Sequence, residues 1–275
     1  MKPPTHVVDP KHPGAIDEII NFGEFWEQKG IIGNRDKIIE STGRISNLFK
    51  RAYRFFAAAK SIRDDLEVIY EEALDQGKYN FAAARLKSEI FGGIPYALRT
   101  VKPRHLFGSA FSPKGIVDYY ETIIDEMEKV IYIHGKYIKG KSMVMENILD
   151  EAVRKGLFVE VYHEPMVETN IETLVIPELN VAVTSSKKYE KKNQRQLNLD
   201  DYINRTVIEE NEDKIKEDEI LFERLMSAGL ASIYKAKREH DVLETYYVPY
   251  MKFPVIDELR KKVMEKILTY EKKDN

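Results

Sequence analysis

The chain has 275 residues, 43% of them hydrophobic, enough to bury a sizeable core in one large or two modest domains. Its 43 Lys and Arg nearly cancel 46 Asp and Glu, leaving −3 at pH 7, so no global field attracts nucleic acid or an anionic membrane. The absence of cysteine excludes disulfides, thiolate zinc sites and a Cys nucleophile; with no signal-like start and no bilayer-spanning apolar run, the chain reads as cytoplasmic.

Pro10 and Pro13 keep Thr5 to Gly14 extended and turn-rich. Helical periodicity then links Ile16, Ile19, Ile20, Phe22 and Trp26, and a longer amphipathic run extends from Ile45 to Leu66. A third helix is predicted over Tyr79 to Phe91, stopped by Gly92-Gly93. Gly92 to Gly115 reads as a connector with a short strand at His105 to Ser109. Beyond it the pattern predicts a helix at Ile116 to Glu128, a strand at Val130 to His134 and a helix at Lys141 to Lys155. Three strands follow, at Phe158 to Tyr162, Thr173 to Ile176 and Asn180 to Thr184. A polar loop, Ser185 to Asn198, leads into a helical C-terminal region. The predicted fold is α/β: a P-loop-like, mainly parallel sheet with helices, plus a largely helical N-terminal region.

Sliding the chain on itself reveals matching blocks 177 residues apart. Asn34 to Glu40 falls on Asn211 to Glu217, Ala59 to Glu67 falls on Ala236 to Glu244, and Ile90 meets Ile267 without a gap. The expected domains are therefore residues 1–101, a mostly helical first repeat lacking its βαβ core, and residues 102–275, a complete unit with its own helical extension.

The chemistry concentrates at Gly135-Lys-Tyr-Ile-Lys-Gly140-Lys141-Ser142, which fits G-x-x-x-x-G-K-[ST] between a predicted strand and a predicted helix. That spacing wraps backbone N–H groups around a phosphate at a helix N-terminus, and the glycines permit a close approach that a Cβ would block. The expected binding segment is Gly135, Lys136, Tyr137, Ile138, Lys139, Gly140, Lys141, Ser142 and Met143. Lys141 would neutralise the β- and γ-phosphates of ATP or GTP, and the Ser142 hydroxyl would ligate Mg²⁺. The strands that should present an acid to the metal end instead in Pro177-Glu178 and in Thr184-Ser185, so Glu178 is the candidate second ligand. Bulky residues at 136 to 139 stand where active loops carry small ones. A loop that keeps its fold and has lost tight nucleotide binding is the competing expectation.

The loop, with Val159 to His163, Ile176 to Asn180, His6 to Pro10 and Arg104 to Phe107, resembles a poorly characterised bacterial family of tandem P-loop proteins, ATPase-like or nucleotide-kinase-like. The resemblance covers essentially the whole chain. It implies that each half has a P-loop core followed by a helical segment, and that this chain lacks the first P-loop. It also implies nucleotide binding as an ancestral property. Two departures set this chain apart: the family's loops are richer in Gly and Pro than Lys136 to Lys139, and its first half carries an aspartate where Thr184 or Ser185 stands here.

Lys50, Arg51, Arg54, Lys60 and Arg63 on one helix, and Lys237 with Arg238 near the end, could offer an arginine to a phosphate, but a charged face beside a core stripe explains them as well. His134 and His163-Glu164 lie at strand ends where ligands bind in α/β sheets. The run Lys187 to Lys192 has one tyrosine and no stacking platform, which argues against nucleic acid. The expected partners are a nucleotide and, through self-association or another protein, the missing P-loop unit; a membrane is not expected. The leading expectation is a Mg-ATP-binding protein, ATPase or phosphotransferase; the alternative is an inactive P-loop-derived scaffold.

Overall fold

A computed structural model describes residues 12–15, 17–186 and 195–271. The His6 to Pro10 and Lys187 to Lys192 segments lie outside the described residues. The chain divides into two compact units, one of residues 1–53 with 235–275, the other of residues 54–234. Among the described residues no helix is long and apolar enough to cross a membrane.

The second unit holds the sheet. Its strands are β1 (Arg104–Phe107), β4 (Lys129–His134), β5 (Glu160–His163), β6 (Ile171–Ile176), β7 (Val181–Thr184) and β8 (Arg195–Asn198), in the order β1-β5-β6-β7-β4-β8. β4 pairs in parallel with both β7 and β8, and β1 in parallel with β5; β6 alone runs the other way, antiparallel to β5 and β7. The fold is thus α/β with a mostly parallel sheet. A separate hairpin pairs β2 (Ser109–Ser112) with β3 (Gly115–Asp118).

The hairpin replaces the first turn of the helix expected from Ile116. Gly115 takes φ +99°, which reverses the chain and lets Ile116 and Val117 pair with Phe111 and Ala110. Only α4 (Tyr120–Ile124) is left helical. Likewise, the helical periodicity near Trp26 yields a 3-10 turn, Phe22–Phe25, capped by the Asn21 side chain on the Gly23 N–H. The end of the expected polar loop is β8.

Helices α3 (Gln76–Phe91) and α5 (Gly140–Arg154) cover one face of the sheet. Asp75 caps α3 by accepting from the Gly77 and Lys78 N–H groups, and α3 buries Tyr79, Ala82, Leu86, Ile90 and Phe91 at helical spacing. Their partners in the core include Ile131, Ile133, Ile148, Val161 and Leu174. On the other face Tyr120 and Ile124 pack with Tyr162, Val175 and Ala182.

The long helices α2 (Arg35–Ala73) and α7 (Glu212–Glu244) contribute to both units. In the first unit Glu239 Oε1 accepts from Ser41 Oγ at 2.7 Å and from Arg44 Nε at 2.8 Å. Also in that unit are α1 (Gln28–Gly33) and α8 (Phe253–Glu271), while α6 (Arg205–Glu210) belongs to the second.

Elements 177 residues apart match in kind and in contacts. The 3-10 turn Phe22–Phe25 meets another, Leu199–Tyr202, and α1, α2 and α3 meet α6, α7 and α8. Asn21 and Asn198 cap the two turns in the same way, each accepting from the N–H two residues on. In one unit Trp26 bridges Met251, with Glu27 N donating to Tyr250 O at 2.8 Å and Lys252 N to Phe25 O at 2.7 Å. In the other, Leu74 bridges Ile203, with Asn204 N donating to Ala73 O at 2.8 Å and Asp75 N to Tyr202 O at 2.9 Å. Each of these contacts becomes its counterpart when one partner is moved 177 residues forward and the other 177 back.

Candidate functional site

The loop from Gly135 to Lys139 leaves the carboxyl end of β4 and enters α5 at Gly140. β4 is buried from Ile131 to Ile133 and flanked on both sides by parallel neighbours. Ligands of α/β sheets bind outside such carboxyl ends, and the first turn of α5 adds a partial positive charge there. Lys141 and Ser142 both lie in that turn, and Met143 follows, exposed.

Within the loop, Lys136 N donates to Asp200 Oδ1 at 3.0 Å, and Lys136 Nζ pairs with Glu219 Oε1 at 2.6 Å. The bond to Glu219 raises the Lys136 pKa and keeps it charged. Asp200 Oδ2 also meets His134 Nε2 at 3.0 Å. Tyr137 adopts φ +50°, a strained value for a side chain of its size, and its ring packs edge-on against Tyr70 at 5.7 Å. Burial pushes the Tyr137 hydroxyl up to about 12. Tyr79 of α3 donates to Gly140 O at 2.9 Å; burial pushes this hydroxyl up to about 12 as well, so it remains a donor. A Cβ on Gly140 would stand 2.9 Å from Tyr79 Cε2, which is why only glycine fits there.

Ile138 is 2% exposed and belongs to the apolar core. Its Cδ1 lies 3.1 Å from where a Cβ on Gly135 would stand, and its Cγ2 3.2 Å from one on Gly140. The backbone between the two glycines therefore closes around an apolar side chain. Lys141 N bonds to Ile138 O at 3.2 Å and Ser142 N to Lys139 O at 3.0 Å, so those two N–H groups also serve the loop itself. Ser142 is buried; its Oγ accepts from Ile171 N at 3.3 Å and donates to Glu146 Oε1 at 3.5 Å.

Glu178 is placed elsewhere, which corrects the expectation that it shares a metal with Ser142. β6 runs against β4 and β7, so its end, Ile176, pairs with Val181, which in turn faces Lys129 at the start of β4. Glu178 thus sits at the end of the sheet opposite the loop, where it accepts from Phe158 N at 3.0 Å and pairs with Arg99 at 3.5 Å. Thr184 is at the loop's end of the sheet, but its Oγ1 is buried and hydrogen-bonded to Thr173 Oγ1 at 2.8 Å, with Ser186 N donating to it at 3.2 Å.

Carboxylates that do reach this end include Glu146, Asp200, Glu164, Glu172 and Glu219. Glu164 pairs with Arg63 Nη1, and Arg63 Nε lies 3.1 Å from Glu67. Burial opposes the Arg63 charge, and the Glu164, Glu67 and Asp64 carboxylates together more than offset it. Arg63 therefore serves an ion-pair cluster, while Lys60, on the same helix, pairs with Asp64 at 2.6 Å. His163 stacks on His105, Nε2 to Nδ1 2.8 Å, and burial followed by the His105 charge lowers its pKa. Asp200 and Glu146 were overlooked in the sequence. Glu146 stands one helical turn after Ser142, an i, i+4 spacing that could have marked it.

Glu172 Oε2 accepts from Tyr120 OH at 2.7 Å and from Ser109 Oγ at 3.1 Å, yet burial raises its pKa. The folded state then holds this proton more firmly than the unfolded chain does. From the ordinary value of 4.5 upward, stability falls with rising pH until the folded-state value is passed. Glu172→Gln keeps an oxygen for both donors and removes the charge. It is expected to flatten that slope and raise the melting temperature at neutral pH. Thermal unfolding between about pH 4 and pH 8 checks this, and a variant that melts lower throughout would refute it.

Comparison of the chain with protein-family models, with curated protein sequences and with solved structures finds no match to any of them.

Proposed function

We propose that this chain binds the phosphates of a nucleoside triphosphate, ATP or GTP, at Gly135 to Ser142. The observation that carries the reading is the join itself: a G-x-x-x-x-G-K-S loop linking the carboxyl end of a strand with two parallel neighbours to the N-terminus of a 15-residue helix. In this reading Lys141 neutralises the phosphates. The oxygens of Ser142 and Glu146, 3.5 Å apart, form the kind of hard-donor pair that Mg²⁺ takes, and bound Mg²⁺ would supply charge neutralisation on the phosphate oxygens. Hydrolysis or phosphoryl transfer is the finer part of the reading, and it calls for a carboxylate other than Glu178.

A second reading, an inactive scaffold derived from a phosphate-binding loop, is favoured by Ile138 filling the loop and by Thr184 bonding to Thr173 in place of an acid. Calorimetric titration with Mg-ATP and Mg-GTP separates the two. Saturable binding that weakens by at least about tenfold in Lys141→Ala supports nucleotide binding, since charge-assisted contacts are worth that much. Equal heats from both proteins would sink it. Phosphate release under the same conditions then reports turnover.

A further inference from the structure

Helix α8 carries an apolar stripe that is half-buried at Ile256, Leu259 and Val263 and uncovered at its far end. Ile267 and Leu268 are 52% and 48% exposed, and Phe22 in the turn beside α8 is exposed too. Their meaning comes from the elements 177 residues away. The five buried positions of α3, Tyr79, Ala82, Leu86, Ile90 and Phe91, fall on Ile256, Leu259, Val263, Ile267 and Leu268 of α8, and Leu199, fully buried, falls on Phe22. α3 packs on its 3-10 turn as α8 packs on its own. The platform is therefore built twice, with the same asparagine cap on the 3-10 turn, the same bridge and the same apolar stripe.

In the second unit the platform carries the α/β core: α3 packs on α5, Tyr79 bonds Gly140, and Leu199 lies against Gly135. Among the described residues there is one core of that kind, residues 104–198, and it sits on α3. Isolated exposed apolar residues are ordinary, but a stripe at helical spacing that reproduces a buried one is the mark of an interface.

We propose that α8 and the Phe22–Phe25 turn form a docking surface for a partner α/β core of the kind formed by residues 104–198. Ile256, Leu259, Val263, Ile267 and Leu268 would meet the partner core's counterpart of α5, the helix that follows β4, as their own counterparts meet α5. The surface stands on these residue pairs alone and does not depend on nucleotide binding.

The test gives the face the core it fits. Residues 102–197 are placed directly ahead of Asn21, with residues 21–275 intact, so that the added core precedes its platform as the resident core precedes Asn198. Hydrogen exchange of the α8 amides is expected to slow by about a hundredfold relative to the natural chain, approaching that of α3. Leu259→Asp with Ile267→Asp in the fusion should reverse the gain, whereas Met264→Asp, whose counterpart is Lys87, should not. Unchanged exchange in the fusion would overturn the proposal. A second measurement needs no fusion: in the natural chain, α8 must exchange faster than α3 and the protein must sediment as a monomer. A dimer that protects α8 and is dissolved by Ile267→Asp would assign the face to a second copy and overturn the proposal as well.

Discussion

Ile138→Ala is expected to lower stability and, at the same time, raise nucleotide affinity. The side chain is 2% exposed and lies in contact range of both loop glycines, so truncation removes buried apolar area and leaves a cavity costing about 2–5 kcal/mol. That same cavity is bounded by loop backbone at a helix N-terminus, where an anion's oxygens are stabilised. If the loop is a phosphate site held shut by its own side chain, Mg-ATP should bind at least about tenfold more tightly to Ile138→Ala than to the natural chain. Lys141→Ala should erase the gain. Saturating nucleotide should also return stability, by about 2.7 kcal/mol at a hundredfold excess over Kd. Thermal unfolding with and without nucleotide reads both effects. A variant that melts lower and gains no affinity would identify Ile138 as plain core and favour the scaffold reading.

The parts of this site legible in the sequence were those decided by local pattern. Val130 to His134 is an apolar run of strand length, Gly140 to Arg154 has helical spacing, and the glycines mark the turn between them, so β4, the loop and α5 lie within a residue or so of where spacing places them. What local pattern does not carry is direction. Thr173 to Ile176 reads as a strand in either sense, and since β6 runs antiparallel, Glu178 moves to the far end of the sheet while Glu172 comes to the loop's end. Side-chain aim is equally hidden: an isoleucine at 138 is visible, but its burial between Gly135 and Gly140 depends on Leu199 and Tyr79, distant in sequence. Residues Ile116 to Glu128 failed for a third reason. Their apolar spacing suits a helix, yet Gly115 at positive φ favours a hairpin for the first three, and pairing with β2 wins.

Phe91→Ala and Leu268→Ala, alike in the sequence pattern, are expected to differ by several kcal/mol. Both residues end the apolar stripe of a helix, 177 positions apart. Phe91 is 3% exposed, and its truncation should cost about 3–5 kcal/mol, enough to unfold much of a marginally stable unit. Leu268 is 48% exposed, so its truncation should stay within about 0.5 kcal/mol. Urea unfolding of the two variants measures both. The asymmetry follows from what covers each helix, because the apolar spacing is shared. In the fusion that adds a second core, Leu268→Ala should become costly, approaching Phe91→Ala, while the effect of Phe91→Ala stays as it was. Equal costs in the natural chain would mean that α8 already has a cover, and the apolar stripe would then need no partner.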